Sequence, residues 1–214
     1  MSRFLFVGGG KGGCGKTTTA HLLCLGAILA RQPATYVLTD PMRDPKPEGR
    51  PYGVIDGRDA EVLSQVIANS AKMQNGWLVV DGGGNRPAFD VAIGELADLT
   101  ILPFGDDDEM REVVKKDMAR LPDALAWPVN WPTNRMAAAE AQRHIDDIAK
   151  AFPLRLIEPP IFEVRATKEL LREELASPAT QVRAAARRAF DIMSDRYDEL
   201  MPTTANAVSQ SQIA

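Results

Sequence analysis

The chain has 214 residues, 45% of them apolar and 25% charged, which is enough apolar material for one substantial core and excludes a disordered or fibrous protein. Its net charge of −4 gives no general attraction to nucleic acid or anionic membrane, so any such contact must come from a local patch. Cys14 and Cys24 lack disulfide or zinc spacing, no apolar run approaches the ~20 residues of a membrane span, and the N-terminus leads almost directly into a strand, so a soluble cytoplasmic protein is expected.

The first predicted element is the apolar strand Phe4–Val7. After it, Gly10-Lys11-Gly12-Gly13-Cys14-Gly15-Lys16-Thr17 fits the phosphate-loop pattern G-x-x-x-x-G-K-[ST], and Thr17 to about Arg31 reads as helix. Small residues in such a loop let successive N–H groups turn onto phosphate oxygens at a helix N-terminus, where the dipole also favours negative charge. Lys16 is placed to reach the β- and γ-phosphates and the Thr17 hydroxyl to ligate Mg²⁺, with Thr18 beside it. Cys14 fills the variable slot as a small residue.

Thr35–Thr39 is a second strand, and a loop rich in Pro and Gly is expected from Pro41 to Gly57. Asp59 caps a helix with Val62, Leu63, Val66, Ile67 and Met73 on one face. Trp77–Val80 is a buried strand ending at Asp81, and Leu99–Phe104 is another. A helix from about Asp107 to Leu121 starts with acids that suit its N-terminus. Strand Ala124–Val129, helix Arg135–Ala151 and strand Leu154–Ile157 continue the alternation. Val182, Ala186, Ala189, Met193, Tyr197 and Leu200 form the apolar face of a last helix, and His21 and His144 read as structural. Apolar strands separated by helices predict one doubly wound α/β domain over residues 1–201, its mostly parallel sheet covered on both faces. The polar tail from 202 to 214 is expected to be disordered. All 16 glycines lie at or before Gly105, which places the nucleotide loops in the N-terminal half.

The second lysine of K-G-G-C-G-K-T-T, Lys11, makes the loop resemble the deviant Walker A loop of the ParA/MinD family of ATPases, in its short form associated with plasmid partition and conjugation. The resemblance spans roughly Arg3 to Arg172 and implies a P-loop ATPase using ATP and Mg²⁺. It further implies an ATP-dependent homodimer in which Lys11 reaches the partner's nucleotide, as an arginine finger does elsewhere. By the same resemblance Asp81 holds the Mg²⁺ shell, and the Gly84 amide of Asp81-x-x-Gly84 contacts the γ-phosphate. Family members more often carry prolines after this aspartate, so the Gly82–Gly84 triplet is a departure that implies a more mobile switch. Asp40, in Thr39-Asp40-Pro41, keeps one acid of a pattern that usually has two, with Leu38 at the other place. It is expected either to orient the attacking water or to sit in the outer Mg²⁺ shell. Asn130, with Asn134 as the alternative, and Pro160 fall where the family contacts the base.

The function implied is a switch that positions or segregates DNA or another cargo through an activating partner protein. Non-specific DNA contact would run through Arg165, Lys168, Arg172, Arg183, Arg187 and Arg188, although interspersed acids also fit a solvated face. No amphipathic membrane helix is read in the tail, so no membrane partner is expected. Two alternatives stay open: a regulatory module that binds nucleotide with little turnover, and a metabolic or maturation ATPase on the same scaffold.

Overall fold

Phe4 and Phe6 leave one face of the first strand and Leu5 and Val7 the other, and all four are buried, so this strand must lie between two layers. The computed structural model, which describes residues 2–70 and 75–201, places it in the interior of a six-stranded sheet. The strands are β1 (Arg3–Val7), β2 (Ala34–Leu38), β3 (Gly53–Asp56), β4 (Trp77–Asp81), β5 (Leu99–Phe104) and β6 (Leu125–Pro128). Their order is β3-β2-β4-β1-β5-β6, and every pairing is parallel. The helices are α1 (Lys16–Leu29), α2 (Ala60–Ser70), α3 (Pro87–Gly94), α4 (Asp108–Arg120), α5 (Arg135–Ala151) and α6 (Thr180–Leu200), with a 3-10 helix over Arg165–Leu171.

One core joins α1, α6 and one face of the sheet, and two others lie under α4 with α5 and under α2 with the side chains of α3. In β5, Leu99 and Ile101 enter the first core, whereas Leu102 and Phe104 enter the second. The expected doubly wound α/β sheet is therefore present, and it is wholly parallel. The apolar face expected of the last helix is also buried at Val182, Ala186, Ala189 and Met193, while Leu200 is exposed.

Three elements differ from expectation. The stretch Pro41–Gly57 contains the edge strand β3, one exposed and three half-buried residues with little alternation to announce them. Helix α3 follows the glycine triplet, with Pro87 in its first turn. Leu154–Ile157 forms no strand: it touches β6 through a single bridge, Ala126 to Leu156, before Pro159 and Pro160 remove the next two donors. The stretch instead supplies Arg155, whose guanidinium donates to the carbonyls of Met118, Leu121 and Ala124. Met73 and the tail from 202 lie outside the described residues.

Helices α1 and α6 pack closely at Gly26 of α1. A Cβ there would sit 2.2 Å from the Ala186 carbonyl oxygen and 2.4 Å from Phe190 Cβ, so α1 and α6 meet backbone to backbone. Gly26→Ala is expected to destabilise the protein by about 1–3 kcal/mol by overpacking, despite up to ~1 kcal/mol of helix-propensity gain. Urea unfolding checks this, with a lower midpoint at unchanged slope as the expected result.

Candidate active site

β1 delivers the chain to the carboxyl edge of the sheet, where a parallel α/β fold places its ligand crevice. The loop turns through Gly13 (φ 81°) and Gly15 (φ 96°), both left-handed, and α1 starts with no side chain capping its first amides. Added Cβ atoms at Gly12 or Gly13 would meet nothing, so this part of the backbone borders open space. Lys16 is buried, donating from Nζ to the Lys11 carbonyl at 2.8 Å and approaching Cys14 Sγ at 3.7 Å. Cys14 thus packs under the lysine, and burial raises its thiol pKa.

A cleft of about 220 Å³ gathers Gly12, Gly13, Gly15, Lys16, Thr17, Thr18, Asp40, Gly84 and Asn130. Gly10, Lys11 and Cys14 lie on the adjoining side of the loop, facing α4. Asn130 has a positive φ of 52° and brings Nδ2 to 3.4 Å from the Cβ position of Gly15. Asn134 instead caps α5, accepting from the amides of Met136 and Ala137, so its oxygen is already engaged. Pro160 does not line the cleft.

Asp81 ends β4 fully buried. Its Oδ2 accepts from the Tyr36 hydroxyl at 2.7 Å, and its Oδ1 has no hydrogen-bond partner. Burial pushes its pKa up to about 6, against the pull of the Tyr36 and Thr17 hydroxyls and the Arg43 and Lys16 charges. A buried carboxylate oxygen with a free lone pair, beside a threonine hydroxyl, suits a hydrated divalent cation. Among the described residues no cluster of three or more His, Cys, Asp or Glu could hold a metal alone. Magnesium here would therefore lean on water and phosphate oxygens, as it characteristically does.

Tyr36 was not read from the sequence as a site residue, yet its hydroxyl orients Asp81. The available signal was a phenol in the middle of a largely buried strand, since a buried Tyr hydroxyl needs a partner. Behind it His21 stacks on Tyr36 at 4.1 Å and pairs through Nδ1 with the Tyr52 hydroxyl at 2.9 Å. Burial, aided by the charges of Arg50, Arg43 and Lys46, pushes the His21 pKa down to about 3, so the ring is neutral and structural.

The phosphate loop also rests on two acids that sequence reading missed. Asp117, on the buried face of α4, accepts from the Gly10 amide at 2.7 Å. Asp90 of α3 is buried near Gly9, and its Oδ1 lacks a partner. An acid on the apolar face of an amphipathic helix, as Asp117 is beside Val114 and Met118, was the legible signal for one of them.

Gly82 and Gly83 of the triplet meet neighbours closely, whereas Gly84 makes ordinary contact. A Cβ would lie 3.0 Å from the Phe6 ring at Gly82, 3.2 Å from Asp40 Cα at Gly83 and 3.6 Å from the Gly12 nitrogen at Gly84. The Asn85 amide then donates to the Gly10 carbonyl at 3.1 Å, tying this loop to the phosphate loop. Asp40 faces Arg43 Nε at 3.2 Å. Lys11 is ion-paired with Glu109 at the start of α4. The six basic residues proposed for DNA are all exposed, but they divide between the 3-10 helix with its end (Arg165, Lys168, Arg172) and α6 (Arg183, Arg187, Arg188).

No protein-family model matches the chain, and no curated protein matches it. Solved structures do. Cobyrinic acid a,c-diamide synthase from Mycobacterium smegmatis, with bound ADP and magnesium, aligns with TM-score 0.66 at 16% identity over 92% of this chain and 96% of that one. The septum site-determining protein MinD from Pyrococcus horikoshii, complexed with Mg-ADP, gives 0.62 at 14% identity over 94% and 98%. A putative plasmid partition protein from Borrelia burgdorferi, bound to AMPPNP, gives 0.61 at 10% identity over 92% and 100%. The chain therefore has the fold of the ParA/MinD-type P-loop ATPases.

Burial pushes the Asp90 pKa up to about 6, against the opposing pull of the Gly9 amide and the Lys16 charge. The folded state thus binds a proton that the unfolded chain has already lost, so stability falls as pH rises from about 4 to about 6 and then levels. Asp90→Asn removes that cost. It is expected to be more stable than the parent by about 1–3 kcal/mol at pH 8, with the gap closing towards pH 4. Thermal melts across this range check the sign.

Proposed function

We propose that the chain is a Mg²⁺-dependent ATPase that works as a dimerisation switch. The observation that carries the reading is one cleft that combines the uncapped amides of α1, Lys16, Thr17 and Asp40, with Asp81 buried behind its Gly82 wall and one carboxylate oxygen unpartnered. The amides and Lys16 would hold the β- and γ-phosphates, Thr17 and Asp81 would hold the cation directly or through water, and Asn130 would meet the base. Asp40 would orient the attacking water or sit in the outer shell of the cation. Mg²⁺, when bound, would supply neutralisation of the negative charge of the phosphates. Everything else in phosphoryl transfer to water is positioning, which these side chains provide.

Lys11, paired with Glu109 in the single chain, would leave that partner to reach a second copy's phosphates. Two copies meeting across the cleft would complete each other's sites, and loss of the γ-phosphate would release contacts at Asp40 and Gly84. The solved neighbours named for septum-site determination and plasmid partition support a positioning role, with DNA or another cargo reached through a partner protein that stimulates hydrolysis. The exposed basic residues of the 3-10 helix and α6 are the surface we assign to DNA phosphates. Residues 1–201 are taken as one functional domain. Among the described residues no helix is long and apolar enough to cross a membrane, and we place the protein in the cytoplasm.

A small-molecule synthetase is the second reading. It is favoured by a cleft of about 450 Å³ that borders Thr17 and runs past His21, Tyr36 and Lys46, with room for an acceptor substrate. A turnover assay separates the two, because DNA-stimulated hydrolysis supports the switch and its absence the synthetase or a non-hydrolysing module.

Lys16→Ala is expected to abolish nucleotide binding. Lys11→Ala should bind ATP normally but lose the ATP-dependent dimer in size-exclusion runs with ADP, ATP and a non-hydrolysable analogue. If Lys11→Ala dimerises with ATP as fully as the parent, the role given to Lys11 is wrong.

A further inference from the structure

The turn after β2 carries a cation that the switch reading leaves unused. Asp40 Oδ1 accepts from the Met42 amide at 3.0 Å, and the Arg43 amide donates to the Asp40 carbonyl at 3.2 Å, so the chain reverses at Pro41. That reversal brings the Arg43 guanidinium back over the start of α1. Its Nη1 donates to Thr17 Oγ1 at 2.8 Å while its Nε faces Asp40 Oδ2 at 3.2 Å. The turn is pinned from the far side by Arg58, which donates to the Arg43 carbonyl at 2.9 Å and is itself held by Asp44 and Asp56. Arg43 is thus placed by a built loop, and it borders both the phosphate cleft and the larger cleft beside it.

Thr17 is assigned to the cation, and Asp40 to its outer shell or to the attacking water. The Thr17 hydroxyl oxygen that accepts from this guanidinium is also the oxygen a metal would use, so the guanidinium puts a positive charge directly in front of it. Guanidinium stays protonated at all ordinary pH, and two cations cannot share one oxygen without strong repulsion. Arg43 and Mg²⁺ therefore exclude each other at Thr17. The guanidinium side chain is 47% exposed, so its pairing is weak enough for a divalent ion carried by nucleotide to displace it.

We propose, building on the nucleotide-site reading, that Arg43 is a resident counter-ion of the magnesium shell, a positioning residue that must leave Thr17 before Mg²⁺–nucleotide seats. Its departure frees the Asp40 carboxylate and the turn behind it. Seating of Mg²⁺–nucleotide would thereby move the loop that carries Asp40. The device sets a magnesium threshold for loading.

The test is a Mg²⁺ titration of fluorescent ADP, and of a fluorescent non-hydrolysable ATP analogue, with the parent chain, Arg43→Ala, Arg43→Gln and Arg43→Lys. The Mg²⁺ midpoint for nucleotide binding is expected to fall about threefold or more in Arg43→Ala and Arg43→Gln, the scale of one half-exposed charge pair. Arg43→Lys should lie between, since an ammonium keeps the charge but cannot span both oxygens. Thermal melts confirm that each variant is folded, and the half-exposed position makes folding failure of all three implausible. A midpoint unchanged or raised in the Ala and Gln variants, with normal binding by the parent, overturns the role of Arg43 alone. Failure of the parent to bind either nucleotide at any Mg²⁺ concentration overturns the nucleotide-site reading and this proposal with it.

Discussion

A helix beginning with no side chain to cap it leaves backbone amides that must find an acceptor elsewhere, and at the β1–α1 junction the rest of the site is organised around that need. Asn134 caps α5 and Asp107 caps α4 in the ordinary way, through side-chain oxygens. α1 has Gly15 in that position, in a left-handed conformation and with no oxygen to offer. The amides are thereby left for an anion from solution, and the dipole of a 14-residue helix adds to their pull.

Holding such a loop in place uses acids as well as apolar packing from Leu102, Val113 and Val129. Asp117 grips the Gly10 amide, Asp90 lies beneath Gly9, and Asp81 waits at the end of β4 with one oxygen unpartnered. Burial raises the pKa of both Asp81 and Asp90 to about 6, so their ionisation near neutral pH works against folding. Buried groups that weaken the free protein are what a site prepared for a charged ligand looks like, because the binding partner supplies the missing interactions. Aromatic residues do the supporting. Tyr36 orients Asp81, and its ring is held by the neutral His21, which is fixed in turn by Tyr52.

The same scaffold serves a diamide synthase, a septum-site protein and a putative plasmid partition protein among its solved likenesses. Fold alone therefore leaves open what the cycle accomplishes, and the difference must lie in what surrounds the phosphate cleft. In this chain the surroundings are distinctive. Lys11 is paired with Glu109, Arg43 sits across Thr17 and Asp40, and Gly82 and Gly83 of the triplet pack tightly on Phe6 and Asp40. The triplet's fit gives it a reason beyond mobility, since a side chain at Gly82 or Gly83 would press on those neighbours.

The local pattern announced the phosphate loop, Lys16, Thr17, the parallel sheet and most helices, because each is encoded by residues adjacent in sequence: apolar runs, glycines at fixed spacing, a lysine next to a threonine. Edge strand β3 and helix α3 escaped because each is short and draws its order from neighbours, β3 by pairing with β2 and α3 by packing over β1 and β4. Tyr36, Asp90, Asp117 and Arg43 escaped for a related reason. Their meaning comes from partners 45 residues away for Tyr36, 107 for Asp117 and 26 for Arg43, distances that only folding closes. By itself the sequence determined that a glycine-rich loop of the phosphate-binding pattern would join the first strand to the first helix. The tertiary structure alone decided which carboxylates hold that cradle and which cation rests on the oxygens beside it, because buried charge is settled by what surrounds it in space and not by its neighbours along the chain.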